Sequence, residues 1–304
     1  MNAPFVQANT NGRLHPASEP SLSPLNRGFL YGDSIYEVWR TYHSTIFAWE
    51  EHFSRLESSA RSLHMNLPFA RPEAFSEVAR TVAAFRAAGA FSGDVYIRMQ
   101  ISRGAGPIGL DIALADRPEY VLLVQSCPAI GADKVEQGLK LSIATGLRRN
   151  PVESLNPAWK TGNYLNNILG LREARARGAD EVLMLNPHGE ITEAAVSNIA
   201  FVKNGVVITP PLEVGILAGV TRRLLLEKIA PAAGVSTREE ALLPRDLAGM
   251  NECFLLSTTK GIIAVASIDD LKYQVGENTT TRRLQSALAT YATDYVGAHP
   301  ELRL

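Results

Sequence analysis

Lysine is absent from the first 133 residues of this 304-residue chain, where arginine carries all of the side-chain positive charge. Any chemistry that needs a primary amine side chain must therefore come from later in the chain. The lysines are Lys134, Lys140, Lys160, Lys203, Lys228, Lys260 and Lys272. Five of them neighbour charges or turns, which favours solvated side chains, and only Lys160 and Lys260 have apolar or small neighbours.

Cysteine is also scarce, with Cys127 and Cys253 far apart and without CxxC spacing. This arrangement disfavours both a disulfide framework and a thiolate metal site. We interpret both cysteines as small buried hydrophobic residues.

Long apolar runs are missing as well, since no stretch approaches the roughly 18 residues needed to span a bilayer. The start of the chain is polar and has no hydrophobic signal core, so we expect a cytoplasmic protein. The formal net charge of -1 gives no general attraction to nucleic acid or to an anionic membrane surface. With 46% hydrophobic and 20% charged residues, the composition is typical of a globular protein.

Several catalytic signatures are absent. The six histidines show no HExxH or other paired spacing, so we expect no metal site, and there is no G-x-S-x-G elbow or Walker loop. Residues 104–109 formally match G-x-G-x-x-G after a predicted strand. Pro107 blocks the helix that a dinucleotide site needs there, so we reject that interpretation.

Apolar and turn patterns predict an α/β chain of two domains. Predicted strands cover residues 32–42, 95–103, 120–125, 139–144, 181–185 and 254–261, and predicted helices cover 50–65, 72–88, 164–177 and 217–230. Asn204-Gly205 marks the turn of a hairpin over 199–209. Residues 126–133 look like a linker, which predicts an N-terminal domain at 1–128, a linker at 129–133 and a C-terminal domain at 134–304.

Lys160 stands just before a segment with apolar residues at helical spacing, with Thr161 and Asn163 as candidate helix caps. We therefore expect this lysine at a strand-to-helix junction. A partly desolvated amine in such a place can attack a carbonyl carbon. The alternative is an ordinary lysine at an interface, with a buried stem and a solvated amine.

Two predicted strands carry polar side chains on one face. Alternation groups Tyr36, Val38 and Arg40 on one side of the first strand, and Tyr96, Arg98 and Gln100 on one side of the second. Such a face is either exposed to solvent or lines a polar cavity. Arg55, on the helix between these strands, is by itself most simply a solvated surface charge.

One lysine, several arginines and two Gly/Thr-rich turns are the parts that a phosphorylated aldehyde cofactor would use. In this combination and order the motifs resemble the fold-type IV pyridoxal-phosphate enzymes, the class IV aminotransferases. The resemblance runs from Arg27-Gly28-Phe29-Leu30-Tyr31-Gly32-Asp33 to Thr258-Thr259. It implies a small N-terminal and a larger C-terminal α/β domain with pyridoxal 5'-phosphate between them.

The resemblance also implies roles for individual residues. Lys160, in a Lys-x-x-Asn-Tyr context, is similar to the family's Schiff-base lysine, and Tyr164 to the tyrosine that binds the cofactor's phenolic oxygen. Glu193 is similar to the glutamate that pairs with the pyridine nitrogen, although from sequence alone it could be a first-turn helix glutamate. The expected phosphate contacts are Arg55, Gly219, Val220, Thr221, Thr258 and Thr259.

The activity implied is a ping-pong transamination between an amino donor and a keto-acid acceptor. In it, Lys160 is displaced by the incoming amine and then moves the substrate's Cα proton. Family members are usually homodimers, so we expect one here. A non-catalytic cofactor-binding protein is disfavoured because Lys160 and Glu193 are both present.

The predicted substrate residues resemble those of two different enzyme classes. Tyr31, Arg40, Tyr96 and Arg98 resemble the pocket of branched-chain aminotransferases, whereas Tyr36, Val38 and Arg103 resemble D-amino-acid enzymes. We expect a branched-chain-like L-amino acid, with a D-amino acid or an (R)-amine as the alternative. A lyase of the aminodeoxychorismate type is a further alternative.

Overall fold

The structure, a computed structural model, describes residues 5–89 and 91–304. The strands are β1 (Gln7–Thr10), β2 (Arg13–Pro16), β3 (Ser34–Tyr42), β4 (Thr45–Ile46), β5 (Val95–Ser102), β6 (Glu119–Ser126), β7 (Leu139–Ile143), β8 (Glu181–Leu185), β9 (Ile191–Ala194), β10 (Asn198–Lys203), β11 (Val206–Thr209), β12 (Thr237–Glu239), β13 (Glu252–Ser257), β14 (Gly261–Ile268) and β15 (Leu271–Lys272). The helices are α1 (Arg27–Tyr31), α2 (Trp49–Ser62), α3 (Arg71–Gly89), α4 (Ala132–Gln137), α5 (Leu165–Ala176), α6 (Val220–Leu224), α7 (Ala230–Ala232) and α8 (Thr280–Ala298).

The chain divides into two units. The first unit contains Met1–Pro128, Trp159–Asn163 and Tyr295–Leu304, and the second contains Ala129–Ala158 and Tyr164–Asp294. Because short segments from late in the chain belong to the first unit, neither unit is one continuous stretch.

The first unit is built on an antiparallel sheet with the strand order β2-β1-β6-β5-β3-β4 among its described residues. The alternation predicted for β5 is confirmed: its apolar side chains are fully buried, and Tyr96, Arg98 and Gln100 are half-buried. On β3, the side chains of Ile35 and Trp39 are completely buried. Helix α2 adds an apolar stripe to the same core, including Phe53 and Leu56.

The second unit contains a mixed sheet with the strand order β12-β11-β10-β13-β14-β7-β8-β9, and β15 pairs with β14. Its core joins residues of β8, β10, β13 and β14, with Phe201 and Leu255 fully buried. The predicted hairpin is confirmed as β10 and β11, whose turn residues Asn204 and Gly205 both have positive φ. Helices α6 and α7 are joined by a single π-helical segment at Leu225–Ile229.

The structure differs from the predicted domain division in three places. Trp159–Asn163 belongs to the first unit because Thr161 bridges Ile35, and Tyr295–Leu304 because Arg303 bridges Thr45. The predicted linker at 129–133 runs directly into α4 at Ala132.

No helix among the described residues combines the length and the apolar character needed to cross a membrane.

Candidate active site

Lys160 lies on a segment that is bonded along β3 in the first unit. Its carbonyl accepts a hydrogen bond from Tyr36 N at 2.9 Å, and Gly162 N donates to Ser34 O at 2.8 Å. Lys160 N donates to Ser59 Oγ on α2 at 3.2 Å. The lysine backbone is therefore fixed on both sides, by a strand and by a helix.

The predicted helix caps next to Lys160 are wrong. Helix α5 begins only at Leu165, with Tyr164 at the N-cap and no side-chain cap bond. Thr161 Oγ1 instead accepts a hydrogen bond from Asn163 N, and the Asn163 side chain donates to Gly32 O. Residues 144–164 are irregular rather than a sharp strand-to-helix junction, because the segment around Lys160 bonds to β3 before the helix starts.

The amine of Lys160 contacts a phenol. Nζ donates to Tyr36 Oη at 3.3 Å and lies 4.4 Å from the centre of the Tyr36 ring. Among the described residues, no carboxylate oxygen lies within 4 Å of this amine, whereas Lys134 and Lys260 each have one, on Asp180 and Glu181. No ion pair therefore competes for the half-buried Lys160 amine.

Arg55 is not the surface charge that its sequence neighbours suggest. Its Nε and Nη2 donate to the two carboxylate oxygens of Glu37 at 2.7 and 2.9 Å, and its side chain is 11% exposed. His52 Nδ1 contacts the same carboxylate at 2.8 Å.

Electrostatics in this group follow from burial and charge. Burial alone raises the pKa of Glu37, but the charge of Arg55 and the hydrogen bonds from His52 and Arg55 outweigh it and hold that pKa well below its usual range. Burial lowers the pKa of His52 below its ordinary 6.5, and Arg55 and Lys160 add to this against the opposing charge of Glu37. Glu37 is therefore ionised, and His52 favours its neutral form.

Five of the seven predicted substrate residues lie on the polar face of β3 and β5. Tyr36 is buried, and the Arg98 guanidinium lies 3.9 Å from the centre of its ring. Val38 is paired in register with Arg98, and Arg40 with Tyr96. Tyr31, on α1, accepts a hydrogen bond from Gly109 N. The structure thus gathers these residues on one part of the first unit.

Arg103, a predicted substrate residue, is bound to other groups of the first unit. Its Nε and Nη2 bind the carboxylate of Asp33, and it also donates to the carbonyls of Leu63 and His64. These bonds use four of its five N–H groups, and its side chain is 9% exposed. Arg103 therefore fastens the end of β5 to the end of α2, which its position in the sequence did not indicate.

Glu193 lies on β9 in the second unit, so the alternative of a helical glutamate is wrong. Its carboxylate is buried and accepts hydrogen bonds from Arg149 Nη2 at 2.8 Å, Asn198 Nδ2 at 3.0 Å and the Leu217 N–H at 3.2 Å. Arg149 and Asn198 were not predicted as site residues. The only sequence signal for Arg149 was the arginine pair ahead of Lys160.

Gly219 precedes α6 and lies directly against Asn198. A Cβ atom at residue 219 would lie 1.9 Å from Asn198 Oδ1, so a side chain there would displace Asn198. Asn198 also donates to Leu217 O, and it thereby joins the Glu193 carboxylate to the Gly219 turn. Val220 and Thr221 are buried in the first turn of the helix.

The remaining predicted cofactor contacts also belong to the second unit. Thr258 and Thr259 are half-buried in the turn that follows β13, and Tyr164 is half-buried at the start of α5. The second unit thus holds a bound carboxylate, a helix start and a threonine turn.

Comparison with known proteins decides the family. The model of the class IV amino-transferases matches residues 34–268. The chain belongs to the class IV aminotransferases. This confirms the predicted family, the α/β fold of type IV and the assignment as an enzyme.

Three relatives of this aminotransferase carry three different names. A putative branched-chain-amino-acid aminotransferase of Methanocaldococcus jannaschii is 35% identical, covering 88% of this chain and 91% of that protein. A D-alanine aminotransferase of Bacillus licheniformis is 29% identical, covering 91% and 94%. An aminodeoxychorismate lyase of Bacillus subtilis is 29% identical, covering 90% and 91%.

Solved structures show the same fold. The branched-chain aminotransferase of Thermoproteus uzoniensis with norvaline has a TM-score of 0.86 at 28% identity, covering 97% of this chain and 98% of that one. The T.th. branched-chain amino acid aminotransferase with pyridoxamine 5'-phosphate has a TM-score of 0.84 at 26% identity, covering 98% of both chains.

Class IV aminotransferases use pyridoxal 5'-phosphate, and the side chains of this aminotransferase fit that group chemically. Lys160 supplies an amine without a carboxylate partner among the described residues, and Glu193 supplies a buried carboxylate held by three donors. Gly219 leaves backbone N–H groups at a helix start, where an anion is favoured.

Proposed function

We propose that this chain is a pyridoxal 5'-phosphate-dependent transaminase that moves an amino group between an amino acid and a 2-keto acid by a ping-pong mechanism. The observation that carries the proposal is the Lys160 amine, which is half-buried, bonded to a phenol and, among the described residues, without a carboxylate within 4 Å.

The predicted catalytic and cofactor-binding residues each have a defined task in this proposal. Bound pyridoxal 5'-phosphate supplies an aldehyde carbon and a ring that withdraws electrons from the substrate. Lys160 anchors the cofactor and, once displaced, takes the proton from the substrate's Cα atom. Tyr36 Oη accepts a hydrogen bond from Nζ and so orients the amine.

The other residues hold the cofactor in place. Glu193, fixed by Arg149 and Asn198, would keep a proton on the pyridine nitrogen. Tyr164 would bind the phenolic oxygen. The phosphate contacts would come from Arg55, Gly219, Val220, Thr221, Thr258 and Thr259.

We favour a branched-chain-like L-amino acid as the donor. The relative with 35% identity and the solved structures named above are branched-chain aminotransferases, and Tyr96 and Arg98 lie on the polar face of β5. The alternative, a D-amino acid or an (R)-amine, is supported by Tyr36 and Val38 and by the D-alanine aminotransferase relative. A lyase activity is supported by the aminodeoxychorismate lyase relative.

Absorbance spectra distinguish these donors. The purified protein with cofactor is divided into three samples, to which L-leucine, D-alanine or (R)-1-phenylethylamine is added. We expect L-leucine to convert a band at about 410–420 nm into one at about 330 nm, and the other two amines to leave it unchanged. Conversion by D-alanine or the (R)-amine alone would replace our first choice. Pyruvate release from aminodeoxychorismate without any added acceptor would instead identify a lyase.

We also propose that the enzyme works in the cytoplasm, since Cys127 and Cys253 are both free thiols. Immunoblotting of fractionated source cells tests this location. Recovery of the protein outside the cytoplasmic fraction would contradict it.

A further inference from the structure

Glu37 is a charged residue in an apolar row of β3. The side chains of Ile35 and Trp39 point to the same face of this strand and are fully buried. Glu37, between them, is also completely buried. A carboxylate in this position is costly unless cations and donors compensate it.

Arg55 and His52 provide that compensation from helix α2. Arg55 donates two hydrogen bonds to the carboxylate, from Nε to Oε1 at 2.7 Å and from Nη2 to Oε2 at 2.9 Å. His52 Nδ1 contacts Oε2 at 2.8 Å. A guanidinium group is planar, and its donors form a fixed fork. Binding two of its nitrogens therefore also fixes the direction of the third, Nη1.

Stability of the fold gives little reason for this arrangement. Replacing a buried ion pair by apolar residues of similar volume is often neutral or stabilising. The two neighbours of Glu37 on this face, Ile35 and Trp39, are apolar, so an apolar residue at position 37 would suit the core. The pair is better explained by a task of Arg55 that needs a charged and precisely directed guanidinium.

Arg55 is also close to the lysine segment. Ser59, one helical turn further along α2, accepts the hydrogen bond from Lys160 N. The charge of Lys160 also acts on His52, which contacts the same carboxylate as Arg55. Arg55 therefore belongs to the helix face that holds Lys160.

We propose that Glu37 is a positioning residue, which fixes the Arg55 guanidinium in the direction required to bind the cofactor's phosphate group. This inference rests on the proposed function, in which Arg55 is a phosphate contact. Pairing with Glu37 lowers the net charge available to the phosphate, and the gain is a guanidinium whose orientation is set before binding.

Cofactor binding to the variant Glu37→Gln tests this role. Pyridoxal 5'-phosphate and pyridoxal, which lacks the phosphate, are each titrated against the apo protein, and binding is followed by absorbance without substrate. We expect the dissociation constant for pyridoxal 5'-phosphate to rise by about tenfold, and that for pyridoxal to change by less than about twofold. The matched control is Glu77→Gln, which alters another arginine-bound carboxylate of the first unit and should leave the ratio unchanged.

Equal losses for both ligands, or no loss for either, would overturn the proposal. Circular dichroism shows whether each variant folds, and Glu37→Asp keeps the charge but shortens the reach to Arg55. If Glu37→Gln is unfolded, Glu37→Asp should fold and show the same selective loss. If neither variant folds, the role of Glu37 is structural and the proposal is wrong. A wild-type protein that binds neither ligand would refute the proposed function itself.

Discussion

Two arginines of the first unit, Arg55 and Arg103, are bound to carboxylates. These bonds fix the orientation of each guanidinium group. Arg103 gives four N–H groups to Asp33 and to two carbonyls at the end of α2. Its charge and that of Arg27 hold the pKa of Asp33 below its usual value, against the effect of burial. Arg103 therefore joins the end of β5 to the end of α2, whereas the two bonds to Glu37 fix the direction of the Arg55 guanidinium group.

Titration of His52 should make the protein less stable in mild acid. Burial lowers the pKa of His52 below its ordinary 6.5, so below that pH the unfolded chain binds a proton that the folded chain does not. We expect full stability above pH 6.5 and a progressive loss as the pH falls toward the lowered pKa, by at most about 1.4 kcal/mol per pH unit.

Urea unfolding at about pH 7.5 and about pH 5.5 measures this effect. The variant His52→Gln should lose less stability between the two pH values than the wild type does. His43→Asn is the control, because His43 is exposed in a left-handed turn that asparagine tolerates. An equal pH dependence in wild type and His52→Gln would contradict the account.

Lysine usage alone left Lys160 and Lys260 as candidates, and the family resemblance selected Lys160; neither indicated the partners of the site residues. The bonds of Arg55 to Glu37 and of Glu193 to Arg149 join residues 18 and 44 positions apart. Such pairs depend on tertiary packing, which neither periodicity nor spacing reports. The bond of Arg103 to Asp33 was not predicted for the same reason, since the two residues are 70 positions apart.

At the scale of elements, long regular patterns were predicted well. The alternation in β5 and the periodicity in α2 and α3 extend over eight or more residues, and all three elements lie where they were expected. The short strand β9 was not predicted: it has only four residues, all buried, so the type of segment that carries Glu193 could not be read from alternation.

The segment around Lys160 was also misread at this scale. Apolar spacing places a helix after the lysine, and α5 confirms it, but the residues before it bond along β3 instead of forming a strand of their own. Thr161 and Asn163 have the composition of helix caps, yet they serve this strand-like contact. Backbone hydrogen bonds to Ser34 and Tyr36, more than 120 positions earlier in the chain, overruled the local propensity.

On the scale of the whole molecule, the chain passes from one unit to the other more than once. The first unit includes Trp159–Asn163 and Tyr295–Leu304. The predicted domain boundary near residue 128 is therefore only one of several boundaries between the units. The composition of a segment can indicate a linker. It does not indicate that a segment from late in the chain pairs with a sheet formed by earlier residues.

The homodimer expected for this family remains a prediction, and exposed apolar side chains are candidate interface residues. In the first unit, Phe29, Ile108 and Leu110 are each more than 70% exposed. Light scattering during size-exclusion chromatography should give a mass of about twice the 33.0 kDa of one chain. A fully active protein of monomer mass would exclude the dimer.

The most direct test of the account is the absorbance spectrum of the protein with pyridoxal 5'-phosphate, compared between wild type, Lys160→Ala and Lys260→Ala. Lys260 is the matched control, because it is the other lysine with small neighbours but is paired with Glu181. We predict a band at about 410–420 nm in the wild type and in Lys260→Ala, and its absence in Lys160→Ala. A band that persists in Lys160→Ala, or one that is missing from the wild type, would contradict the assignment of Lys160 as the cofactor-binding lysine.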